Sequence, residues 1–430
     1  MLDITFIREH PEQVKQAAED KNVAVDIDQL LTLDGRRREL QQQLDGLAAQ
    51  RNALAKEVPG GKPSAAQVAA GKELKQQAAT VEQELGEIRE QYTTLLKQVP
   101  NIPSDDTPRG ADEAANQVLR QVGEQPEFDF SPKEHFELGE QLGVLEFAAA
   151  AQVAGSRFAY LKGQLAQLQF ALIQHALATL TSPEQLAAIA QRAGYSVPTI
   201  PFVPVIPPVM IKPEVFDKMA RLEPKEERYY IPSDDVYLVG SAEHTLGPLH
   251  MKETLDGPRR YVGYSTAFRR EAGSHGKDVR GILRLHQFDK VEIESFTAPE
   301  HSLAEQDFIV AIQEHLMQSL GLAYQVVLKC TGDMGGPDYR AIDIETWMPG
   351  QNRYRETHTS DLMTDYQARR LGTKIVNEQG NKVYAHMNDA TVFAIGRTLI
   401  AIMENYQQAD GSIIIPEALH SYVPFTTIEI

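Results

Sequence analysis

Leu33, Leu40, Leu47 and Leu54 recur every seven residues, and Leu30 and Leu44 stand three positions ahead of two of them. A helix that keeps one apolar stripe through four repeats cannot leave it in water, so the stripe needs a second helix. That helix follows: Leu74, Val81, Ile88 and Leu95 alternate with Ala78, Leu85, Tyr92 and Val99 in the same heptad rhythm. Between the two seams runs VPGGKPSAAQ, where Pro59, Gly60, Gly61 and Pro63 stop helicity and turn the chain back. The pattern predicts an antiparallel coiled-coil hairpin whose helices run roughly 40–50 Å. Pro100, Pro103 and Pro108, with Asp105 and Asp106, then mark a linker. Two domains are therefore expected, a helical arm over 1–110 and a body over 111–430.

The body reads differently. Helical stretches around 132–143 and 157–192 precede β-type runs at VPVIPPVMI, VYLVGSAE, RYVGYSTAFRRE, ILRLHQFDKVEIESF, AYQVVLKC and YRAIDIETWM. Short strands with few helices between them predict an α+β domain: an antiparallel β-sheet flanked by helices. A closing helix, FAIGRTLIAIMENYQQ, sets Ile395, Leu399, Ile402 and Tyr406 on one face.

Charge and cysteine content narrow the function classes. A net charge of -18 argues against an indiscriminate nucleic-acid binder, since such binding rests on a positive field. Residues 30–80 are the exception, with eight Lys or Arg against five acids. These are either a phosphate-binding stripe or a solvated helix face. The single cysteine, Cys330, excludes a disulfide framework and leaves too few thiolates for a multi-cysteine zinc site. The opening MLDITFIREHPEQ lacks the pattern of a cleavable leader, and no stretch approaches ~18 consecutive apolar residues. A soluble cytoplasmic protein, away from membranes, is expected.

The window FRREAGSHGKDVRGILRLHQFDKVE (residues 268–292) carries the chemistry. Charged and apolar residues alternate on both sides of the turn AGSHG, so two strands would show one polar face bearing Arg269, Glu271, Arg284, His286 and Glu292. Arginines beside carboxylates suit a nucleotide: Arg grips phosphate oxygens bidentately, and an acid accepts an adenine amino group. A surface hairpin with cross-strand ion pairs would carry the same pattern.

FRRE followed by RLHQF resembles motif 2 of class II aminoacyl-tRNA synthetases, and RGILRLHQFDKVE resembles its seryl-tRNA synthetase form. VIPPVM (205–210) is similar to motif 1, GSAEH (240–244) to the family's Thr-Ala-Glu serine loop, and AIGRTLIAIMENYQ (394–407) to motif 3. CTGDMG, DIETWMPGQNRYRE and DYQARR lie between them in family order. The resemblance implies serine–tRNA ligase activity: ATP-dependent formation of seryl-adenylate, then transfer to tRNA-Ser and, as in the family, to selenocysteine tRNA. It assigns Arg269 and Arg397 to catalysis, and Arg269, Glu271, Arg284, Phe288, Glu356 and Arg397 to ATP. Ser241, Glu243, Arg269, Glu292 and Thr391 would hold serine, and Glu356 and Thr359 a Mg2+ ion, with no zinc expected. Arg36, Arg37, Arg38 and Arg51 of the arm would meet tRNA, and a homodimer would form through the motif 1 region.

Two stretches depart from the family. Where it has Ile-Ser-Ser-Cys-Ser-Asn, this chain has Thr357, His358, Thr359, Ser360, Asp361 and Leu362; where it has Leu-Asn-Gly-Ser, it has Asn388, Asp389, Ala390 and Thr391. Asp389 adds a negative charge near the substrate and His358 a titratable group. A competing reading is therefore a synthetase-like amino-acid ligase with another acyl acceptor or an altered amino-acid specificity. A coiled-coil interaction protein on a dead catalytic fold is a third reading, which leaves Arg269, Glu271, Arg284 and Arg397 unexplained.

Overall fold

The computed structural model describes residues 1–56, 62–271 and 280–429. The expected turns at Pro59, Gly60 and Gly61 and at AGSHG (272–276) lie outside the described residues. The chain divides into two compact units, Met1–Ile102 and Pro103–Ile430.

The first unit is built on two long helices, Ile27–Lys56 and Ala65–Gln98. Ser64 starts the second: its hydroxyl accepts from the Gln67 amide (3.2 Å), while the Gln67 side chain accepts from the Ser64 amide (2.9 Å). The helices run antiparallel, as the heptads predict, and cross-links follow the seam. Arg36 meets Glu84 at 2.6 Å, Arg89 donates to Gln41 at 2.7 Å, and the Arg37 guanidinium lies 4.9 Å over the Tyr92 ring. Leu33, Leu40, Leu85 and Leu96 are buried, whereas Leu47 and Leu54 nearer the tip are only half-buried. At the base, helices Ile4–Glu9 and Pro11–Asp20 close a small core of Ile7, Val14, Ile27, Leu30, Leu96 and Val99.

The second unit is organised by an eight-stranded sheet, whose strands we number β1 (Gln117–Val122), β2 (Val203–Val205), β3 (Arg259–Phe268), β4 (Gln287–Thr297), β5 (Tyr324–Leu328), β6 (Arg340–Met348), β7 (Arg353–Thr364) and β8 (His386–Ala394). Their spatial order is β1-β5-β6-β7-β8-β4-β3-β2. Every pairing is antiparallel except β2 with β3. Two-residue periodicity then sorts the side chains. Val291, Ile293, Ala390, Val392, Ile342 and Ile344 join the main core with helices Gly163–Leu180, Ser302–Ser319 and Ile395–Asn405. Lys290, Glu292, Asp389, Thr391, Thr359 and Asp361 point to the opposite, polar side.

Several boundaries differ from the sequence expectation. The stretch 157–192 is not one helix: Tyr160–Leu161 pairs with Leu145–Glu146, and helices Gly163–Leu180 and Pro183–Ala193 are split where Ser182 caps and Pro183 opens a new first turn. VPVIPPVMI breaks into β2 and the separate strand Met210–Ile211 around Pro207–Pro208, because proline cannot donate to a ladder. VYLVGSAE is strand only over Val236–Leu238, and Glu243 begins the short helix Glu243–Leu246. Helix Ser302–Ser319 had no expectation at all. It is buried on several sides and carries buried Glu305, Gln306 and Gln313, so it shows no single apolar stripe.

Candidate functional site

A cavity of about 550 Å³ opens on the polar face of the sheet. Gln313 of the buried helix braces that face from behind, its amide nitrogen donating to the Thr359 carbonyl of β7 (3.0 Å) and the Thr391 carbonyl of β8 (2.7 Å). All eleven residues assigned to ATP, serine or Mg2+ line the cavity: Ser241, Glu243, Arg269, Glu271, Arg284, Phe288, Glu292, Glu356, Thr359, Thr391 and Arg397. They come from six separate segments of chain.

The β3–β4 connection supplies the cationic half. Register pairs Phe268 with Gln287, and the Arg269 amide donates to the His286 carbonyl at 3.0 Å, which closes the base of the loop. The described residues 269–271 and 280–286 lie outside both strands, so the expected strands are shorter than the motif. His286 does not join the cavity lining; its ring packs against Phe158 and Tyr229. The Arg269 side chain donates from Nε to the Gly240 carbonyl (3.1 Å) and lies 5.5 Å over the Phe288 ring. Glu271 sits at φ +52° and accepts from Arg284 at 2.7 Å. These two residues therefore answer each other across the pocket.

Helix Ile395–Asn405 brings Arg397 in its first turn, where Nη1 donates to the Glu356 carbonyl (2.9 Å) and carboxylate (2.7 Å). Enclosure by the cavity walls disfavours the charged Glu356 carboxylate, but Arg397, Lys329 and Arg269 outweigh it and hold it down to about 2. Opposite Thr359 in register stands Asp343, which burial raises to about 7 despite Lys329 at 3.4 Å.

The other half is acidic and densely bonded. Glu292 of β4 accepts from the Ser241 hydroxyl (2.6 and 2.5 Å), the Ala242 amide and Lys290, and it lies opposite Thr391. Arg221 had no place in the sequence reading, yet it is the hub: Nε meets Glu243 at 2.8 Å, and Nη2 lies 3.3 Å from Asp338, 3.3 Å from Asp389 and 3.6 Å from Asp361. Desolvation would lower this guanidinium, but Glu243, Asp338, Asp389 and Asp361 together raise it well above its usual range. Arg221 in turn overcomes the burial of Glu243 and pulls its carboxyl down to about 2. Burial and the neighbouring acids push Glu294, Asp361 and Asp389 well up. His358, singled out as a departure, is fully buried against Phe393, and burial lowers it to about 3, so it is a neutral core residue.

Arg221 and Asp361 escaped sequence reading because each acquires its meaning from strands or loops distant in the chain, and Lys290 escaped it although its partner Glu292 is two residues away on the same strand. Asp361 carried a signal in its departure from the family serine; Arg221 carried none. In the first unit, the arginines expected to meet tRNA are engaged with acids: Arg36 with Glu39 and Glu84, Arg37 and Arg38 with buried Asp34. Arg51 is exposed.

Residues 227–406 match the profile described as tRNA synthetase class II core domain (G, H, P, S and T), and residues 1–103 match the seryl-tRNA synthetase N-terminal domain. Among curated relatives, the serine–tRNA ligase of Thermodesulfovibrio yellowstonii is 37% identical, with 100% of both chains covered. That of Acidothermus cellulolyticus is 39% identical over 98% of each. Among solved structures, seryl-tRNA synthetase from Pyrococcus horikoshii complexed with ATP superposes with a TM-score of 0.88 at 34% identity, covering 100% of this chain and 99% of that one. The cytoplasmic serine–tRNA ligase of Naegleria fowleri in complex with AMP gives 0.84 at 28% identity over the same shares.

Proposed function

The chain belongs to the seryl-tRNA synthetase family, and on that premise we propose that its cavity joins serine to ATP and that its helical arm holds tRNA-Ser for the transfer that follows. The observation that carries this reading is the convergence of eleven residues from six segments on one cavity. In the first half-reaction the serine carboxylate attacks the α-phosphorus, a carboxylate–phosphorus bond forms, and pyrophosphate leaves. Arg269 and Arg397 offset the charge that gathers on the phosphate oxygens. Phe288 offers a face to the adenine, Glu271 accepts from the adenine amino group, and Arg284 exchanges Glu271 for the outer phosphates. In the second half-reaction a ribose hydroxyl of the terminal tRNA adenosine attacks the acyl carbon and AMP leaves.

Mg2+ prefers one or two protein oxygens completed by phosphate and water. The Glu356 carboxylate, held ionised by Arg397, and the Thr359 hydroxyl fit that description. When bound, the ion would neutralise the phosphates and orient them. Glu243 and Glu292 take the α-ammonium, and Thr391 and Ser241 the side-chain hydroxyl. The exposed Val203 and Ile206 at the β2 edge suit a homodimer contact. No helix among the described residues is long and apolar enough to cross a membrane.

Pyrophosphate exchange with each of the twenty amino acids tests the reading: serine should stand above the rest, and better exchange with threonine would move the substrate assignment. Thr391 is nearly buried, so Thr391→Val keeps its volume and removes its hydroxyl. We expect it to narrow the preference for serine over alanine by ~1–3 kcal/mol in relative kcat/KM. An unchanged preference would remove Thr391 from the hydroxyl site. On the arm, neutralising Arg36, Arg37 and Arg38 together should flatten the salt dependence of tRNA-Ser binding by about one phosphate contact per arginine used. Their partners Asp34, Glu39 and Glu84 give the opposite expectation, an unchanged slope, if the arginines serve only the hairpin.

A further inference from the structure

Three carboxylates stand in a row across neighbouring strands: Glu294 of β4 lies opposite Asp389 of β8, and Asp389 opposite Asp361 of β7. Like charges directly opposite in a sheet repel, so such a row needs compensation. It sits one two-residue step along the same sheet face from the Glu292–Thr391 pair, a distance of about 6.6–6.8 Å. Asp361 and Asp389 line the substrate cavity. Among the described residues Arg221 is the cation in contact with the row, and it is shared among four carboxylates, Glu243, Asp338, Asp361 and Asp389. Lys290 is bound to Glu292 instead. Glu294 is fully buried with neither carboxylate oxygen hydrogen-bonded, and Asp361, only 9% exposed, leaves its Oδ1 without a hydrogen-bond partner.

A buried carboxylate without a partner is costly, and an ammonium is the group that relieves it most directly. The serine hydroxyl is neutral and adds no positive charge to the row. We propose that the side-chain end of this pocket is a receptor for a cation, so that the enzyme activates, besides serine, a short diamino acid of the 2,3-diaminopropionate class. That molecule is serine with an ammonium in place of the hydroxyl. Its α-ammonium takes the place of serine's at Glu243 and Glu292, and its second ammonium turns toward Asp389 and Asp361. Arg221 fills the space beyond them, which excludes the longer lysine chain. The inference rests on the adenylation reading above.

The test is ATP–pyrophosphate exchange with serine, 2,3-diaminopropionate, 2,4-diaminobutyrate, alanine and lysine, on the wild type and on Asp361→Ser/Asp389→Asn, with a melting curve to establish folding. On the wild type, one of the two short diamino acids should exceed alanine and lysine by about tenfold or more. In the double variant, or in the single variants if it does not fold, the ratio of diamino-acid to serine exchange should fall by about as much. Serine-dependent exchange with both short diamino acids at the alanine level overturns the inference and leaves the serine reading intact. So does a diamino-acid to serine ratio indifferent to both substitutions. Exchange with no amino acid at all would overturn the serine reading, and this inference with it.

Discussion

Arg269→Ala and Arg397→Ala should each slow serine-dependent pyrophosphate exchange by about two orders of magnitude, equivalent to ~3 kcal/mol of transition-state stabilisation. Both guanidiniums line the cavity from opposite elements, one on the β3–β4 loop and one in the first turn of helix Ile395–Asn405. Their effects differ in origin. Arg269 is anchored through Nε to the Gly240 carbonyl, which leaves its remaining N–H groups for phosphate. Arg397 also holds the Glu356 carboxylate ionised, so its loss weakens the proposed Mg2+ ligand as well. Raising Mg2+ should therefore rescue part of the Arg397→Ala defect and little of the Arg269→Ala defect. Lysine at either position restores a charge but not the fork, and should recover only a fraction of the rate. Both variants should melt close to the wild type, because neither side chain is in the apolar core. Normal exchange in both folded variants would remove these arginines from the chemistry.

The uneven legibility of this chain has a physical pattern. The arm was readable because a heptad seam is a local property: Leu33, Leu40 and Leu85 are buried where the spacing puts them. Strands β3 and β4 were readable because apolar residues alternate along them. Strand β7 was not, since Arg353–Thr364 interleaves Arg, Glu, His, Thr and Asp, and owes its extended form to pairing on both edges with β6 and β8. Helix Ser302–Ser319 hid for the converse reason, its buried Glu305, Gln306 and Gln313 erasing the stripe. At the site, residues inside recognisable motifs could be named one by one. Arg221 could not, because its partners lie 22 to 168 positions along the chain and only the fold gathers them. Motif reading finds groups that lie within a recognisable window, the departures Asp361 and Asp389 included; Arg221, which lies outside any such window, emerges only from its three-dimensional neighbours.

Shortening the arm should separate the two half-reactions. The antiparallel seam brings Leu54 of the first helix to Gly71 of the second, so Gln42 and Gln83 stand at matching heights on the two helices. Removing residues 43–82 and joining these ends with a short glycine-rich turn keeps the Leu40 and Leu85 pair, the Arg36–Glu84 bridge and the basal core around Leu30 and Leu96. What is lost is the distal part, whose leucines are only half-buried and contribute least to folding. Adenylation draws every proposed contact from residues beyond 220, so serine-dependent exchange should remain within about twofold of the full chain. Charging of tRNA-Ser should fall by about a hundredfold or more, because transfer depends on holding a large polyanion and the distal arm offers the basic surface for it, Arg51, Lys72 and Lys75 included. The defect should appear chiefly in KM for tRNA, and raising tRNA or lowering salt should recover part of it. Full-rate charging by a folded truncation would show that the arm does not carry tRNA. Loss of exchange alongside charging would show instead that the arm supports the catalytic unit itself.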